Sequence, residues 1–168
     1  MTTVPDRIRW AVEVVDPAPA QDILEVGCGP GVAAALVCER LTTGRMLAVD
    51  RSPVAVARTL ARNATHVESG RLAVRQSELD TLDVSSVADK AFTVNVNVFW
   101  TRDAGRELAA LRHALRVGGR LYVLYGGGPT GADRVTPVIG TALAAHGFTD
   151  VTVLRAPHGL GVAARRAA

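Results

Sequence analysis

Three glycines spaced two residues apart, Gly27, Gly29 and Gly31, directly follow a short apolar stretch at residues 22–26. A glycine backbone can adopt positive φ, and a ligand can lie directly against it because no side chain intervenes. Such a turn is typical of the point where a parallel strand is followed by a helix, which is where nucleotide-containing cofactors bind in α/β folds. The spacing therefore predicts a cofactor-binding turn.

Two acidic residues accompany this turn. Glu25 lies near the end of the first apolar stretch, and Asp50 ends the next one, at residues 45–50. A buried carboxylate is costly to desolvate unless it meets donors, so Glu25 favours contact with a cationic amino group of a ligand. A carboxylate about twenty residues beyond the glycine turn is typical of ribose binding, which assigns that role to Asp50. Two alternatives stay open: Glu25 as a cap for loop amides, and Asp50 as an additional cap for the helix that begins at Ser52-Pro53.

The position of the third glycine separates two classes of cofactor-binding turn. The dinucleotide fingerprint places its third glycine three residues after the second, and that position here is Val32. The third glycine instead falls at Gly31. A nicotinamide-dependent oxidoreductase is therefore an alternative that the spacing disfavours.

The run Asp22-Ile-Leu-Glu-Val-Gly-Cys-Gly-Pro-Gly31 resembles the first motif of class I S-adenosylmethionine-dependent methyltransferases. Three later stretches are also similar to that family. They are the acidic strand end and helix at residues 50–63, the fourth-strand segment at 89–100, and the segment at 115–122, in which Val117 replaces a common proline. The resemblance extends from about residue 20 to the C-terminus.

The resemblance implies an S-adenosylmethionine cofactor and assigns roles to particular residues. Glu25 would meet the amino group of the methionine moiety, Asp50 the ribose hydroxyls, and Glu78 the adenine amino group, although aspartate is more usual at that last position. The implied cofactor-binding residues are Glu25, Gly27, Cys28, Gly29, Gly31, Asp50, Arg51, Ser52, Glu78, Leu79 and Asn95. Asn95 and Asn97 are predicted on one face of the fourth strand, where a ligand role and simple satisfaction of neighbouring backbone groups are equally open.

The remaining pattern predicts alternating strands and helices after a leading helix marked by Ile8, Ala11, Val12 and Val15. Strands are predicted at 22–26, 45–50, 72–75, 91–98, 120–125, 149–155 and 159–164, and helices at 32–41, 53–64, 103–115 and 136–146. Gly118 and Gly119 are predicted to end the third of these helices. Strict alternation predicts a parallel sheet covered on both faces, but the short link at 156–159 allows only an antiparallel hairpin. We therefore expect a single-domain, Rossmann-like α/β methyltransferase fold at 20–168, with a helical segment at 1–19 packed on it.

Methyl transfer from a sulfonium depends mainly on positioning, and a base is needed only for a protonated nucleophile. Ligands in such sheets bind beyond the carboxyl ends of the strands. That edge holds His158 in the final hairpin, Tyr125 after the fifth strand, and the stretch from Trp100 to Asp103 after the fourth. His158 is the predicted base and Tyr125 the second candidate, with Trp100 as an apolar wall and the glycine-rich loop at 126–131 on the substrate side. His66, His113 and His146 are predicted to be structural or solvated.

Composition and cysteine spacing indicate the cellular compartment and whether a metal site is expected. The 168 residues are 48% hydrophobic, which is enough for a core without disulfides or metals. Neither Cys28 nor Cys38 has a partner at metal-ligand spacing, so we expect no metal site. The chain has neither a signal-peptide pattern nor an apolar run of membrane-spanning length. These features predict a cytoplasmic protein without membrane partners.

The acceptor is predicted by elimination. The segment Asn97-Val-Phe-Trp100 lacks both prolines of the turn found in enzymes that methylate amino groups of nucleic acid bases, and no cysteine lies where cytosine-C5 enzymes need one. A net charge of +3 is modest for nucleic acid binding. A small-molecule acceptor is therefore the leading prediction, nucleic acid is disfavoured, and the oligomeric state is open. The alternatives are a noncatalytic cofactor-binding scaffold or partner subunit, and an RNA methyltransferase.

Overall fold

The structure, a computed structural model, describes residues 3–127 and 132–168. Strands and helices alternate along these residues in a regular order. The elements are α1 (Asp6–Val15), β1 (Ile23–Val26), α2 (Val32–Arg40), β2 (Met46–Asp50), α3 (Pro53–Arg62), α4 (Ala64–Glu68), β3 (Leu72–Gln76), β4 (Ala88–Val94), α5 (Val98–Thr101), α6 (Gly105–Ala114), β5 (Leu115–Gly126), α7 (Ala132–Ala145), β6 (Phe148–Ala156) and β7 (Gly159–Arg166).

The strands form one sheet in the order β3-β2-β1-β4-β5-β7-β6. The first five strands run parallel, and β7 is antiparallel to both β5 and β6. This confirms the predicted mostly parallel sheet with an antiparallel C-terminal hairpin. The chain leaves β1 toward β2 on one side and reaches β4 on the other, so the order reverses at β1. Ligands of open α/β sheets bind beside such a reversal, beyond the carboxyl ends of the strands.

Alternate residues of the central strands face two separate apolar layers. Ile23 belongs to a layer completed by α1 and α2, in which Val12 and Val37 are buried. Leu24, its neighbour in β1, belongs to a layer completed by α6 and α7, in which Leu111 and Ile139 are buried. Burial on both faces explains the continuous apolar runs of the parallel strands and fixes their register.

The exit of β4 corrects one prediction. The strand was expected to reach residue 98, but it ends at Val94, and Asn95 has a φ of 60°. Asn97 then lies at the N-terminal cap position of α5. Asn95 and Asn97 therefore do not share a strand face, and the expectation that they do was wrong. Asparagine tolerates the left-handed region better than most residues, which is why the strand can turn sharply there.

The junction between α6 and β5 corrects a second prediction. The helix ends at Ala114 and the strand begins at once at Leu115, so Gly118 and Gly119 lie inside β5 and do not end the helix. A Cβ at Gly119 would lie 2.8 Å from the carbonyl oxygen of Arg116, and the pairing of β4 with β5 shifts register at Ala88 and Lys90. The glycines therefore accommodate an irregularity in the strand.

Two helices also depart from their predicted bounds. The helix expected at 53–64 is divided at Asn63 into α3 and α4, and α7 begins at Ala132, ahead of the predicted residue 136.

Within the described residues, none of the helices is both long and apolar enough to cross a membrane.

Candidate active site

A cavity of about 670 Å³ opens at the carboxyl ends of the strands, beside the reversal of strand order. Its walls come from the glycine turn, the end of β2, the loop after β3, the exit of β4 and the start of α6. The lining residues are Val26, Gly27, Asp50, Arg51, Ser77, Glu78, Leu79, Asp80, Val94, Asn95, Val96, Asn97, Val98, Thr101, Arg102 and Glu107.

The first two glycines of the turn differ in their surroundings: Gly27 lines the cavity, and Gly29 does not. Gly27 and Gly29 have φ values of 77° and 53°, a region in which a side chain would be strained. A Cβ at Gly27 would lie 2.7 Å from Cγ2 of Val96, so this glycine lets the chain leaving β4 come close. A Cβ at Gly29 would meet nothing within 4 Å. The turn therefore presents bare backbone to open space at Gly29.

Gly31 and Cys28 face the protein interior. Gly31 is the N-cap of α2, and a Cβ there would lie 2.9 Å from the Cα of Thr59 in α3. Cys28 is buried in the same layer as α1 and α2, with its sulfur 3.4 Å from the hydroxyl of Thr59. Burial raises the pKa of the Cys28 thiol to about 11. Neither residue lines the cavity, and both serve the packing of α2 against α3.

Asp50 ties the end of β2 to the glycine turn. Its Oδ2 accepts a hydrogen bond from the backbone N–H of Gly29 at 2.9 Å, and its Oδ1 accepts one from the N–H of Ser52 at 2.9 Å. Each carboxylate oxygen can accept a second hydrogen bond. The carboxylate also lines the cavity, so anchoring the loop and binding a ligand are compatible. The Ser52 hydroxyl accepts from the N–H of Ala55 and caps α3, as predicted.

Glu25 is a buried carboxylate with an unsatisfied oxygen. The residue is 3% exposed, and its Oε2 has no hydrogen-bond partner among the described residues. Burial, and secondarily the charge of Asp50, raise the pKa of Glu25 well above its ordinary value. No loop amide donates a hydrogen bond to Oε2, so the alternative that Glu25 caps loop amides does not account for this oxygen. Glu25 does not line the cavity, but it lies two residues before Gly27 of the glycine turn, and a cationic group that reached Oε2 would supply the missing donor.

The loop after β3 forms the opposite wall. Glu78 and Leu79 line the cavity, Glu78 as an exposed side chain and Leu79 as a half-buried one that packs on the α6 layer. The Ser77 N–H donates to the carbonyl oxygen of Asp50, and the Gln76 side chain donates to that of Arg51. These bonds hold the ends of β2 and β3 together beneath the cavity.

Asn95 lines the cavity and also holds the backbone around it. Its Oδ1 accepts from the N–H of Gly126 at 2.9 Å, and its own N–H donates to the carbonyl oxygen of Leu124. Of the two roles left open for this residue, satisfaction of neighbouring backbone groups is thus present at Oδ1.

The structure brings neither predicted base to the cavity walls. The Tyr125 hydroxyl donates to the carbonyl oxygen of Val96 at 2.7 Å, and burial raises the pKa of this tyrosine above its ordinary value. His158 lies in the β6–β7 hairpin, where its side chain is 59% exposed and its Nδ1 is 3.9 Å from a carboxylate oxygen of Asp6. Trp100 is exposed on α5. The glycine-rich loop lies outside the described residues from position 128 onward.

Among the charged residues of the cavity wall, sequence reasoning missed Asp80 and Glu107, whereas Arg102 lies within residues 100–103, which it placed on the substrate side. Glu107 lies in the first turn of α6 and is 3% exposed. The available signal was its place on the helix, because Glu107, Leu111 and Ala114 follow the spacing of one buried face. A carboxylate on an apolar stripe calls for an explanation in the structure.

Comparison with protein families agrees with this geometry. Residues 23–119, more than half of the chain, match the model of the methyltransferase domain family. The chain therefore belongs to the class I S-adenosylmethionine-dependent methyltransferases, and it is an enzyme whose cofactor is S-adenosylmethionine. A comparison with curated proteins gives no match.

Solved structures share the fold at low sequence identity. A SAM-dependent methyltransferase from Aquifex aeolicus superposes with a TM-score of 0.78 at 16% identity, covering 94% of this chain and 88% of that one. A SAM-dependent O-methyltransferase from Thermotoga maritima gives 0.78 at 12%, covering 100% and 67%. Geranyl diphosphate C-methyltransferase from Streptomyces coelicolor, in complex with Mg²⁺, geranyl diphosphate and S-adenosyl-L-homocysteine, gives 0.73 at 15%, covering 95% and 78%.

Proposed function

We propose that this methyltransferase acts on a small-molecule acceptor that enters the cavity at the carboxyl edge of the sheet. The observation that carries the proposal is the cavity itself, whose volume of about 670 Å³ lies in the range of small-ligand sites. A site of that size, shared with the cofactor, leaves room for a compact acceptor. The Streptomyces coelicolor enzyme, whose complex contains geranyl diphosphate, supports this choice by fold alone.

Within this proposal, Asp50 binds the ribose hydroxyls through the acceptor positions that its two backbone bonds leave free. Glu25 binds the amino group of the methionine moiety, which would satisfy its Oε2. Gly27 and Gly29 allow the cofactor to lie against bare backbone. Arg51, Leu79 and Asn95 contribute walls of the same cavity.

S-adenosylmethionine supplies, when bound, a methyl group already activated by the sulfonium. The chain therefore has to hold the ligand and exclude competing orientations, because near-attack geometry alone can supply much of the rate. The cavity walls at β4 are fixed for this task, since Tyr125 holds the carbonyl oxygen of Val96 and Asn95 holds the backbone of Gly126. Gly27 then allows Val96 to close the wall between β1 and β4.

A general base is needed only when the acceptor nucleophile carries a proton. His158 remains our candidate because it lies in the β6–β7 hairpin, at the carboxyl edge of the sheet, and an imidazole can act as a general base. His158→Ala should then lower methyl transfer about 100-fold without changing cofactor affinity. If turnover is unchanged, His158 is not the base, and the methyltransferase assignment is unaffected.

The acceptor class is tested with cofactor labelled in the methyl group. Purified enzyme and labelled cofactor are incubated with a dialysable metabolite fraction and, separately, with total RNA. We expect label in the dialysable fraction, and Asp50→Ala is the control that lacks a cofactor-binding group. Label that is confined to RNA and released by ribonuclease would overturn the small-molecule acceptor.

We also propose a cytoplasmic location, which the two free cysteines, Cys28 and Cys38, support.

A further inference from the structure

A second cavity, of about 330 Å³, opens at the amino ends of β2 and β3, at the edge of the sheet opposite the candidate active site. Its walls are the two turns that precede these strands. Arginines, hydroxyl-bearing residues and glycines line it, and no carboxylate among the described residues does. Such a lining offers positive charge and hydrogen-bond donors, which are the groups that an anion requires.

The two arginines of the lining, Arg45 and Arg71, occupy equivalent positions on neighbouring strands. They immediately precede Met46 and Leu72, which are paired in the parallel ladder between β2 and β3. The N–H of Met46 donates to the carbonyl oxygen of Arg71 at 2.8 Å, so the strands are still paired at this level. Neighbouring strands lie about 4.8 Å apart. Like charges at opposed positions are unfavourable, and an anion between them would replace repulsion with attraction.

Other side chains do not neutralise this pair. Within residues 3–127 and 132–168, neither the Arg45 nor the Arg71 guanidinium forms an ion pair or a hydrogen bond with another residue. Asp22 accepts the backbone N–H of Arg45 at 2.9 Å, but its carboxylate forms its ion pair with Arg116 at 2.8 Å. The half-buried Arg71 and the exposed Arg45 therefore direct two uncompensated charges at one cavity.

The remaining polar groups of the wall limit how a ligand can be held. The backbone N–H groups at 42–44 and 69–71 already donate to carbonyl oxygens, and so do the hydroxyls of Thr42 and Ser69. The donors left for a ligand are the two guanidiniums and the hydroxyl of Thr43. Guanidinium groups bind phosphate oxygens in a paired geometry, which favours a phosphate over a singly charged carboxylate.

We propose that this cavity binds the phosphate group of a compact anion between the guanidiniums of Arg45 and Arg71. Its volume of about 330 Å³ is at the lower end of the range for small-ligand sites, which suits an anion of the size of pyrophosphate. The site lies at the opposite edge of the sheet from the proposed cofactor cavity, so the two ligands should bind without competition.

Calorimetry with inorganic pyrophosphate at low ionic strength tests the proposal. We expect one site per wild-type chain, and an affinity at least about tenfold lower in Arg45→Gln and in Arg71→Gln, the effect of losing one hydrogen bond between charged groups. Arg75→Gln is the matched control, because Arg75 is exposed on β3 and lines neither cavity. It should bind as the wild type does. A wild-type enzyme that does not bind pyrophosphate, or an equal loss in all three variants, would overturn the proposal.

Thermal denaturation guards against misfolded variants. Arg45 is exposed, so Arg45→Gln should keep the wild-type melting temperature without ligand. Pyrophosphate should raise the melting temperature of the wild type and of Arg75→Gln, but not that of Arg45→Gln. An equal rise in all three proteins would contradict the assignment to this cavity.

A competition experiment separates this site from the proposed cofactor site. Saturating S-adenosylhomocysteine should leave the affinity for pyrophosphate unchanged. Displacement of pyrophosphate by S-adenosylhomocysteine would place the anion in the cofactor cavity and overturn the proposal. Failure of S-adenosylhomocysteine to bind, with pyrophosphate binding that still depends on Arg45 and Arg71, would overturn the cofactor placement and support the anion site.

Discussion

Three carboxylates at or near the site differ in how many hydrogen bonds they accept from the protein itself. Asp50 accepts two backbone hydrogen bonds, whereas Glu25 and Glu107 are buried and each retain an oxygen without a partner. Buried unpaired acceptors are unfavourable in the free enzyme, and a ligand donor removes that penalty. The free energy of cofactor binding should therefore depend most on the groups that are least satisfied without it.

Asp50→Ala should weaken binding of S-adenosylhomocysteine by about 1.5 to 3 kcal/mol, the scale of hydrogen bonds to a charged acceptor. The variant also loses its bonds to Gly29 and Ser52, so its folding must be checked by thermal denaturation. Calorimetry measures the affinity, and Asp83→Asn, at an exposed position outside the cavity lining, is the control. Unchanged affinity in a folded Asp50→Ala enzyme would refute the ribose role.

Glu25 should release a proton when the cofactor product binds. Its pKa in the free protein is raised by burial from an ordinary value of 4.5, so the carboxyl is largely protonated at pH values below the raised pKa. A cationic amino group favours the ionised form, which drives the proton off. Calorimetry of S-adenosylhomocysteine binding in buffers of different ionisation enthalpy should therefore show release of up to about one proton.

The same shift sets the pH dependence of stability without ligand. Because the folded pKa is raised, the contribution of Glu25 to the free energy of unfolding is fully present below the ordinary pKa of 4.5 and is lost as the pH rises through the folded pKa. Glu25→Gln should remove both the proton release and this pH dependence. Proton release that persists in Glu25→Gln would assign it to another group.

Tyr125→Phe separates positioning from proton transfer. Its hydroxyl donates to the carbonyl oxygen of Val96, and its raised pKa keeps it protonated at neutral pH. We expect a loss of about 1 kcal/mol in the free energy of unfolding and only a small change in turnover. A decrease of about 100-fold in turnover at unchanged stability would instead support the base role.

At the scale of elements, two glycines of the same turn have different roles: Gly29 leaves space for a ligand, and Gly31 allows α2 to pack against α3. Gly31→Ala should destabilise the fold because its Cβ would overlap Thr59 and its φ is 77°. The strain of the left-handed region alone costs about 1 to 2 kcal/mol. Gly29→Ala carries the strain without the overlap, and its methyl group would point into open space, where we propose that the cofactor lies against the turn.

Chemical denaturation and calorimetry together distinguish the two variants. Gly31→Ala should lose more stability than Gly29→Ala, and Gly29→Ala should lose more affinity for S-adenosylhomocysteine relative to its stability. The reverse order would contradict the division of roles within the turn.

The elements also show what the sequence could predict. Apolar periodicity and turn residues identified every strand of the sheet, and the short link at 156–159 gave the antiparallel hairpin. The end of β4 was predicted wrongly because the apolar run continues through Val96 and Val98, while the turn depends on the backbone conformation of Asn95. Glu107 was missed because its burial follows from the docking of α6, a tertiary contact that local pattern does not contain.

At the scale of the whole molecule, the sheet brings together residues that lie far apart in sequence. Gly27, Asp50, Leu79, Asn95 and Glu107 come from five separate segments and meet at one edge because parallel strands end on the same side. Each segment contributes one part of the proposed site: bare backbone, a ribose acceptor, an apolar wall, a backbone anchor and a buried carboxylate. The fold thus supplies the geometry, and the loops at the carboxyl edge supply the chemistry.

A crystal structure of the enzyme with S-adenosylhomocysteine tests this arrangement most directly. We predict the homocysteine amino group within hydrogen-bond distance of Glu25, the ribose hydroxyls on Asp50, and the sulfur facing an open part of the cavity beyond β4. Electron density for the ligand outside this cavity, or a ligand whose sulfur is sealed from any acceptor, would contradict it.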